Sequence, residues 1–205
     1  MNASSRLERG NLLVISAPSG AGKTTLVRRL MDRQPSLHFS ISHTTREQRR
    51  GETHGHDYFF VDPDEFETIR AQGGFLEHAE VFGNHYGTSR EQVEQLLANG
   101  RDVLLEIDWQ GAQQVRQNLP ECVSIFILPP SLDELEARLR GRSTDSEQVI
   151  RRRLGEAIGD ISHWREFDYV IVNDDLDEAV EKLLAVVRGR GAPPDAARIE
   201  ALFGG

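Results

Sequence analysis

Residues Ala17-Pro18-Ser19-Gly20-Ala21-Gly22-Lys23-Thr24-Thr25 gather two glycines, one lysine and several hydroxyls into a single short stretch. An apolar run, Leu12-Leu13-Val14-Ile15, stands before it, and a segment of helical character follows. Strand, glycine-rich loop and helix in that order make a phosphate cradle. Gly20 and Gly22 let the backbone curl until several N–H groups point at one polyphosphate. Lys23 supplies an ammonium for the β- and γ-phosphates, and Thr24 offers a hydroxyl to Mg²⁺. The positive end of the next helix faces the same anion. The strict pattern has Gly where this chain has Ala17, a residue small enough to keep the turn. The chemistry expected here is that of a nucleoside triphosphate.

Other groups suited to anions lie further along. Arg46 and Arg49 are three apart in a turn-rich segment, so both guanidinium groups can converge on one phosphate, with Tyr58 and Tyr86 as further donors. Taken alone, such an arginine-rich loop also fits a solvated surface. Glu106 and Asp108 follow the apolar strand Val103–Leu105 on one face of its C-terminal end, where open α/β sheets bind ligands. That position suits a Mg²⁺-organising or a substrate-contacting role, and Asp108 also suits a helix N-cap. Arg138 and Arg142 are four apart, on one face if a helix continues that far, and Arg151-Arg152-Arg153 follow. The loop His54-Gly55-His56-Asp57 has no evident further ligand and reads as a polar loop rather than a metal site.

The elements that must carry these groups alternate. Strands are expected at Leu12–Ser16, Asp102–Ile107, Val123–Leu128 and Tyr169–Val172. Helices are expected from Lys23 to about Arg33, at Ser89–Ala98 with a capping-box Gln92, at Leu132–Leu139 and at Asp175–Val187. This alternation implies an α/β fold with a mostly parallel sheet flanked by helices. Residues 40–88 break the rhythm with alternating aromatic pieces, Tyr58–Val61 and Phe75–Phe82, around a short helix Pro63–Gln72. They read as a small inserted α+β lobe. The polar run Gly141–Ser146 interrupts again, within a lid at 138–155. The phosphate-binding core then comprises 1–39 and 89–190. The Gly- and Pro-containing tail 191–205 should be loosely held, with a short amphipathic helix over Asp195–Leu202. A lobe over an acceptor and a lid over a donor would exclude water from a phosphoryl transfer.

Composition narrows the class. With 205 residues, 38% hydrophobic and 28% charged, the chain can bury a core, and its net charge of −9 argues against a nucleic-acid partner. No apolar run approaches a membrane span, and Met1–Ser5 lacks the apolar stretch of a secretory signal. The single cysteine, Cys122, reads as a core thiol, which fits a reducing cytoplasm.

Several motifs, in this order, resemble guanylate kinases of the bacterial type: Ser16–Thr25; Ser40-x-Ser-x-Thr-Thr-Arg46-x-x-Arg49-x-Gly-Glu52; Asp57-Tyr58-x-Phe60; Glu77; and Gly83-Asn-x-Tyr86-Gly-Thr88. Glu106-Ile-Asp108-Trp-Gln-Gly111, Leu139-x-Gly-Arg142 and Ile171-Val-Asn173-Asp174-Asp175 continue the series to about residue 188. The resemblance implies a phosphate-loop core with a GMP-binding lobe and a lid, transferring phosphate from ATP to GMP with Mg²⁺. It implies that Arg46, Arg49, Tyr58 and Tyr86 hold the GMP phosphate. Ser40, Glu77 and Thr88 would surround guanine, with Glu106 or Asp108 nearby. Ala17 through Thr25 would bind ATP, Asn173 would contact the donor adenine, and Lys23, Arg138, Arg142 and Arg153 would reach the transferring phosphate. Guanine presents N1–H and N2–H₂ donors to a carboxylate such as Glu77, and O6 to a hydroxyl such as Thr88; adenine would leave a buried carboxylate unpaired. GMP and dGMP are the expected acceptors, and a homo-oligomer is left open.

Three rivals are weaker. A kinase for another small molecule would have no use for Glu77 with Thr88 beside an Arg46/Arg49 pair. A binding module on this fold would not need Lys23, Thr24 and the lid arginines. A GTP-hydrolysing switch would need Asn-Lys-x-Asp, and Asn173-Asp174-Asp175 lacks the lysine.

Overall fold

A computed structural model describes residues 9–81, 83–141 and 146–204. Phe82 and Arg142, both named above, lie outside the described residues. In chain order the first elements are β1 (Leu12–Ser16), α1 (Lys23–Arg33), β2 (His38–Phe39), β3 (His43–Thr44), β4 (Phe59–Phe60) and α2 (Pro63–Ala71). Then come β5 (Phe75–Val81), β6 (Asn84–Ser89), α3 (Arg90–Ala98), β7 (Val103–Glu106), α4 (Trp109–Asn118) and β8 (Val123–Leu128). The chain continues through α5 (Leu132–Arg140), α6 (Glu147–Ile161), a 3-10 turn at Ser162–Glu166, β9 (Tyr169–Val172), α7 (Leu176–Val187) and α8 (Ala196–Phe203). The residues divide into two compact units. One is built from Ser36–Leu105 and Gln110–Cys122 with the chain up to Leu12. The other is built from Leu13–Pro35, Glu106–Trp109 and the chain from Val123 onward.

The unit containing Ser36–Leu105 holds a four-stranded sheet in the order β4-β3-β6-β5. β5 and β6 form an antiparallel hairpin in which Glu77 faces Thr88 and Ala79 faces Tyr86. A register shift between Phe75 and Glu77 makes an irregularity of the bulge kind, which re-aims the side chains that follow. Period-two alternation then puts Tyr86 and Thr88 on one face of β6. Gly87 faces the other way; a Cβ there would come within 2.9 Å of the Phe75 ring. Phe75 packs on Phe66 with ring centres 4.5 Å apart, and Phe66 stacks on His85. Gln114 of α4 fastens this sheet by bonding both the N–H and the C=O of His78. β2 and β7 pair in parallel in the same unit.

The other unit has β1, β8 and β9 paired in parallel, with Ile15 opposite Ile125 and Ile127 opposite Ile171. All five residues of β1 are buried, as a strand covered on both faces requires. Leu26 and Leu30 of α1 and Val180, Leu183 and Leu184 of α7 are buried, and the two helices pack together. Apolar burial of this extent is the main favourable term in folding. No bounds for α4 or α6 follow from the sequence, although Asp108 suits a helix N-cap and the run Gly141–Ser146 reads as a loop between helices. Gly111 sits in α4, and Gly155 and Gly159 in α6, each weakening the helical signal.

The tail departs from the sequence expectation. It is docked, because Ile199 of α8 is only 2% exposed and Arg198 and Arg165 pair with Asp174 and Glu200. Gly191 fits closely enough that a Cβ would lie 2.5 Å from the Tyr169 ring. The glycines and prolines suggested mobility, yet buried Ile199 and the two ion pairs hold the segment.

His43 stacks on Phe59 at 4.9 Å, and its Nδ1 is buried without a hydrogen-bond partner. Burial, and then the nearby His54, push its pKa below the ordinary value of 6.5. Between the lowered value and about 6.5 the unfolded chain holds the extra proton, so stability rises with pH across that window and falls on acidification. Urea unfolding from pH 8 to 5 should therefore show a loss below about pH 6.5. His43→Phe is expected to keep the stability at pH 8 and flatten that loss; an unchanged acid limb would remove His43 as the cause.

Candidate active site

The phosphate loop begins where β1 ends. Gly20 and Gly22 have φ of 93° and 92°, the left-handed region that side chains rarely adopt. Space enforces the same choice: a Cβ on Gly22 would stand 2.5 Å from Asn173 Nδ2, and one on Gly20 would stand 2.9 Å from Leu135 Cδ1. Gly22 caps α1, and Lys23 is the first helical residue. A cavity of about 360 Å³ is lined by the loop residues Ala17 to Gly20 and Gly22 to Thr25, together with Asp108 and Asp160.

Lys23 Nζ donates to Ile107 O at 3.0 Å. Burial pushes its pKa down, against the pull of Glu106, Asp108 and Asp160, in that order. Thr24 Oγ1 donates to Glu106 Oε1 at 2.9 Å. Glu106 is thereby placed with the threonine of the phosphate loop, and Asp108 with Lys23 in the cavity. Both carboxylates thus stand beside the phosphate loop.

Arg138 and Arg153, the two of the three named arginines that lie among the described residues, reach the loop. Arg153 donates to Ser19 Oγ at 3.0 Å. Arg138 donates to Ala21 O and Asn173 O, each at 3.4 Å, while Glu134 accepts from its Nε at 2.9 Å. Asn173 is buried and its Nδ2 donates to Ala21 O at 2.8 Å. The segment after β9 is therefore tied to the cradle, with Asn173 bonded to the loop backbone.

The second cluster belongs to the other unit. Arg46 donates to Glu52 Oε1 at 2.8 Å and lies 5.4 Å from the centre of the Tyr58 ring. Glu52 also accepts from the Arg49 N–H at 2.8 Å. The bond from Arg46, followed by that from Arg49, holds the Glu52 carboxyl below the usual carboxylate range. Tyr58 and Tyr86 meet edge to face with centres 5.9 Å apart, and burial pushes the Tyr58 phenol up. Arg46, Arg49, Tyr58 and Tyr86 are thus brought together, with Glu52 fixing their geometry. The spacing Arg46-x-x-Arg49-x-x-Glu52 carried that information, but Glu52 was read only as part of a motif.

Two residues along β6 from Tyr86, Thr88 Oγ1 donates to Glu77 Oε1 at 2.6 Å. Glu77 is 6% and Thr88 1% exposed, in a sheet whose other face is aromatic. A buried carboxylate is costly to desolvate unless it accepts strong donors, so this one marks a site prepared for a donor-rich partner. A hydroxyl has one proton. In this arrangement Thr88 donates it to Glu77. Ser40 follows β2, with its N–H donating to Leu104 O.

Asp160 was missed. It lies seven residues after Arg153, two turns along the same stripe of α6, and accepts from Trp109 Nε1 at 2.9 Å. No local pattern announces a partner 51 positions away. Among the described residues no group of three or more His, Cys, Asp or Glu is arranged to hold a metal ion by itself.

A family model described as guanylate kinase matches residues 9–189. Guanylate kinases of Salmonella paratyphi A and Escherichia coli K12 are each 56% identical over 184 residues, covering 89% of this chain and 89% of the relative. The crystal structure of guanylate kinase from Anaplasma phagocytophilum matches with a TM-score of 0.69 at 36% identity, covering 96% of both chains. With the glycine cradle, the buried lysine and the Glu77–Thr88 pair already in place, these matches settle the family: the chain belongs to the guanylate kinases.

Proposed function

We propose that this protein transfers the γ-phosphoryl group of ATP to GMP, giving ADP and GDP. Family membership supports the reaction, and the buried Glu77–Thr88 pair is the observation that carries the choice of base. A carboxylate oriented by the Thr88 hydroxyl can accept N1–H and N2–H₂ of guanine. Adenine offers an acceptor at N1 and no 2-amine, so it would leave the desolvated charge unmatched. Thr88 sets the direction of Glu77, and Ser40 completes the base pocket. Arg46, Arg49, Tyr58 and Tyr86 take the acceptor phosphate, with Glu52 holding Arg46 ready. These contacts address base and phosphate, so dGMP should serve as well as GMP.

On the donor side the backbone of residues 17–25 cradles the triphosphate, Lys23 follows the γ-phosphoryl group, and Asn173 borders the adenine. Hard oxygen ligands suit Mg²⁺, which binds through phosphates, waters and one or two protein groups. Thr24 with Glu106 and Asp108 fits that need, the pair at 2.9 Å showing that a hydroxyl and a carboxylate already converge. When bound, the ion would supply charge neutralisation to the phosphates. Direct transfer needs no covalent enzyme intermediate, only alignment and charge compensation. Arg138, Arg142 and Arg153 supply that compensation as charge spreads over the γ-phosphate oxygens. Residues 40–88 serve as the acceptor lobe, 138–155 as the lid, and 1–39 with 89–190 as the core. No described helix is long and apolar enough to cross a membrane, and the buried Cys122, which is in no disulfide, suits a reducing cytoplasm.

Lys23→Ala is expected to lower kcat on the order of 10²-fold with the circular dichroism spectrum unchanged. A folded variant with full kcat would remove the phosphate loop from the reaction. Arg153→Ala should depress kcat far more than GMP affinity, since its contact is expected to matter in the reacting complex. Calorimetry showing GMP binding lost with kcat intact would move Arg153 to the acceptor site.

Base choice is tested by kcat/KM for GMP, IMP and AMP. AMP should be rejected by roughly 10⁴-fold, and IMP, lacking the 2-amine, should fall between. Glu77→Gln should erode this ranking because an amide sets a donor against donors, whereas Arg46→Ala should weaken all three alike. AMP as good as GMP, or a ranking unmoved by Glu77→Gln, would defeat the guanine assignment.

A further inference from the structure

Arg153 reaches the phosphate loop from a helix whose own stiffness is poor. Between Arg153 and the C-terminal end of α6 stand Gly155 and Gly159, and a Cβ on either would meet nothing within 4 Å. Neither glycine admits a close neighbour, and each destabilises a helix relative to alanine. Ile150, Ala157 and Ile161 bury the apolar side of α6. Such burial is non-directional, so the aim of the polar side is left to polar contacts. Arg153 and Asp160 lie two turns apart on one stripe of that side, and turning the helix moves both together.

Trp109 grips the end of α6 at two points. Its Nε1 donates to Asp160 Oδ1 at 2.9 Å. Its indole lies flat on His163, in the turn that follows α6, with ring centres 3.5 Å apart and planes 12° from parallel. His163 Nδ1 is in turn 2.6 Å from Glu166 Oε1, which fixes the imidazole. The backbone leading to Trp109 is bound to the donor site. Glu106 Oε1 accepts from Thr24 Oγ1, Ile107 O accepts from Lys23 Nζ at 3.0 Å, and the Ile107 N–H donates to Ile15 O of β1. One residue therefore joins the segment that holds Lys23 to the helix that delivers Arg153, whose guanidinium donates to Ser19 Oγ at 3.0 Å.

We propose that Trp109 is a positioning residue of the transfer reaction: by gripping the C-terminal end of α6 at Asp160 and His163, it fixes the direction in which α6 presents Arg153 to the phosphate loop. This role rests on Arg153 assisting the transfer, as proposed above. Trp109 touches no substrate in it and acts through Arg153.

Steady-state kinetics of a double-mutant cycle in the full chain test this. Trp109→Phe keeps a ring against His163 and deletes the N–H donor to Asp160. It is expected to lower kcat about tenfold, with KM for ATP and for GMP within about twofold of the wild type. Misdirecting Arg153 slows the reacting complex and leaves the binding groups alone. In an Arg153→Ala background the same substitution should cost no more than about twofold further, because the group it directs is gone. His163→Leu removes the other grip without touching the indole, and its loss of kcat should vanish in that background too. It carries the comparison if Trp109→Phe folds poorly. Full kcat in a folded Trp109→Phe overturns the proposal, as does an equal loss with and without Arg153, or a loss confined to KM. The single variants separate the two levels. If Arg153→Ala keeps the wild-type kcat, the assignment of Arg153 to the transfer fails, and the role of Trp109 with it. If Arg153→Ala lowers kcat while Trp109→Phe costs the same in both backgrounds, only the role of Trp109 fails.

Discussion

Everything on the donor side depends on keeping an ammonium group in a place that would rather exclude it. Lys23 is the first residue of α1, buried under a loop with no side chains at Gly20 and Gly22, and its hydrogen bond goes to Ile107 O. Desolvation opposes its charge and lowers its pKa, and three carboxylates pull the other way. The left-handed glycines, the bond from Thr24 to Glu106 and the anchoring of Asn173 to Ala21 O all follow from fitting backbone and counter-charges around that one group. A loop so tightly specified tolerates little: side chains at Gly20 or Gly22 would be strained and would collide.

The acceptor side solves a related problem with the signs reversed. There a carboxylate, Glu77, is buried, and the Thr88 hydroxyl of the sheet donates to it. Arg46 is balanced by Glu52 in the same way that Lys23 is balanced by its acids. In both clusters a charge is fixed in advance by a partner that does not exhaust the group, so that orientation is settled before a ligand arrives.

Local sequence made some of this readable and tertiary packing hid the rest. The phosphate loop was legible because its requirements (positive φ, small residues, a lysine at the helix start) are all met within one turn of chain. The strands β1, β8 and β9 were legible because each is a short, continuous apolar run. Glu77 could be named only with its neighbours in the motif series, since an isolated acidic residue in a strand usually faces water. Asp160 was invisible because its partner Trp109 belongs to another helix, and α6 itself was obscured by Gly155 and Gly159. The tail was misjudged for a similar reason: Gly191 looked like slack, yet its missing side chain is what lets the chain lie against Tyr169 and Val186.

The irregularity between Phe75 and Glu77 has an evolutionary consequence. Along a strand, a shift of one residue exchanges the two faces. Deleting a single residue near the bulge would swing the Glu77 carboxylate away from Thr88, out of the proposed base pocket, and bring a different neighbour in. The aromatic floor, with Phe66, Phe75 and His85, could repack behind it. Insertions and deletions in β5, more than point substitutions, are thus the short mutational route by which a lineage with this lobe could drift to another nucleobase.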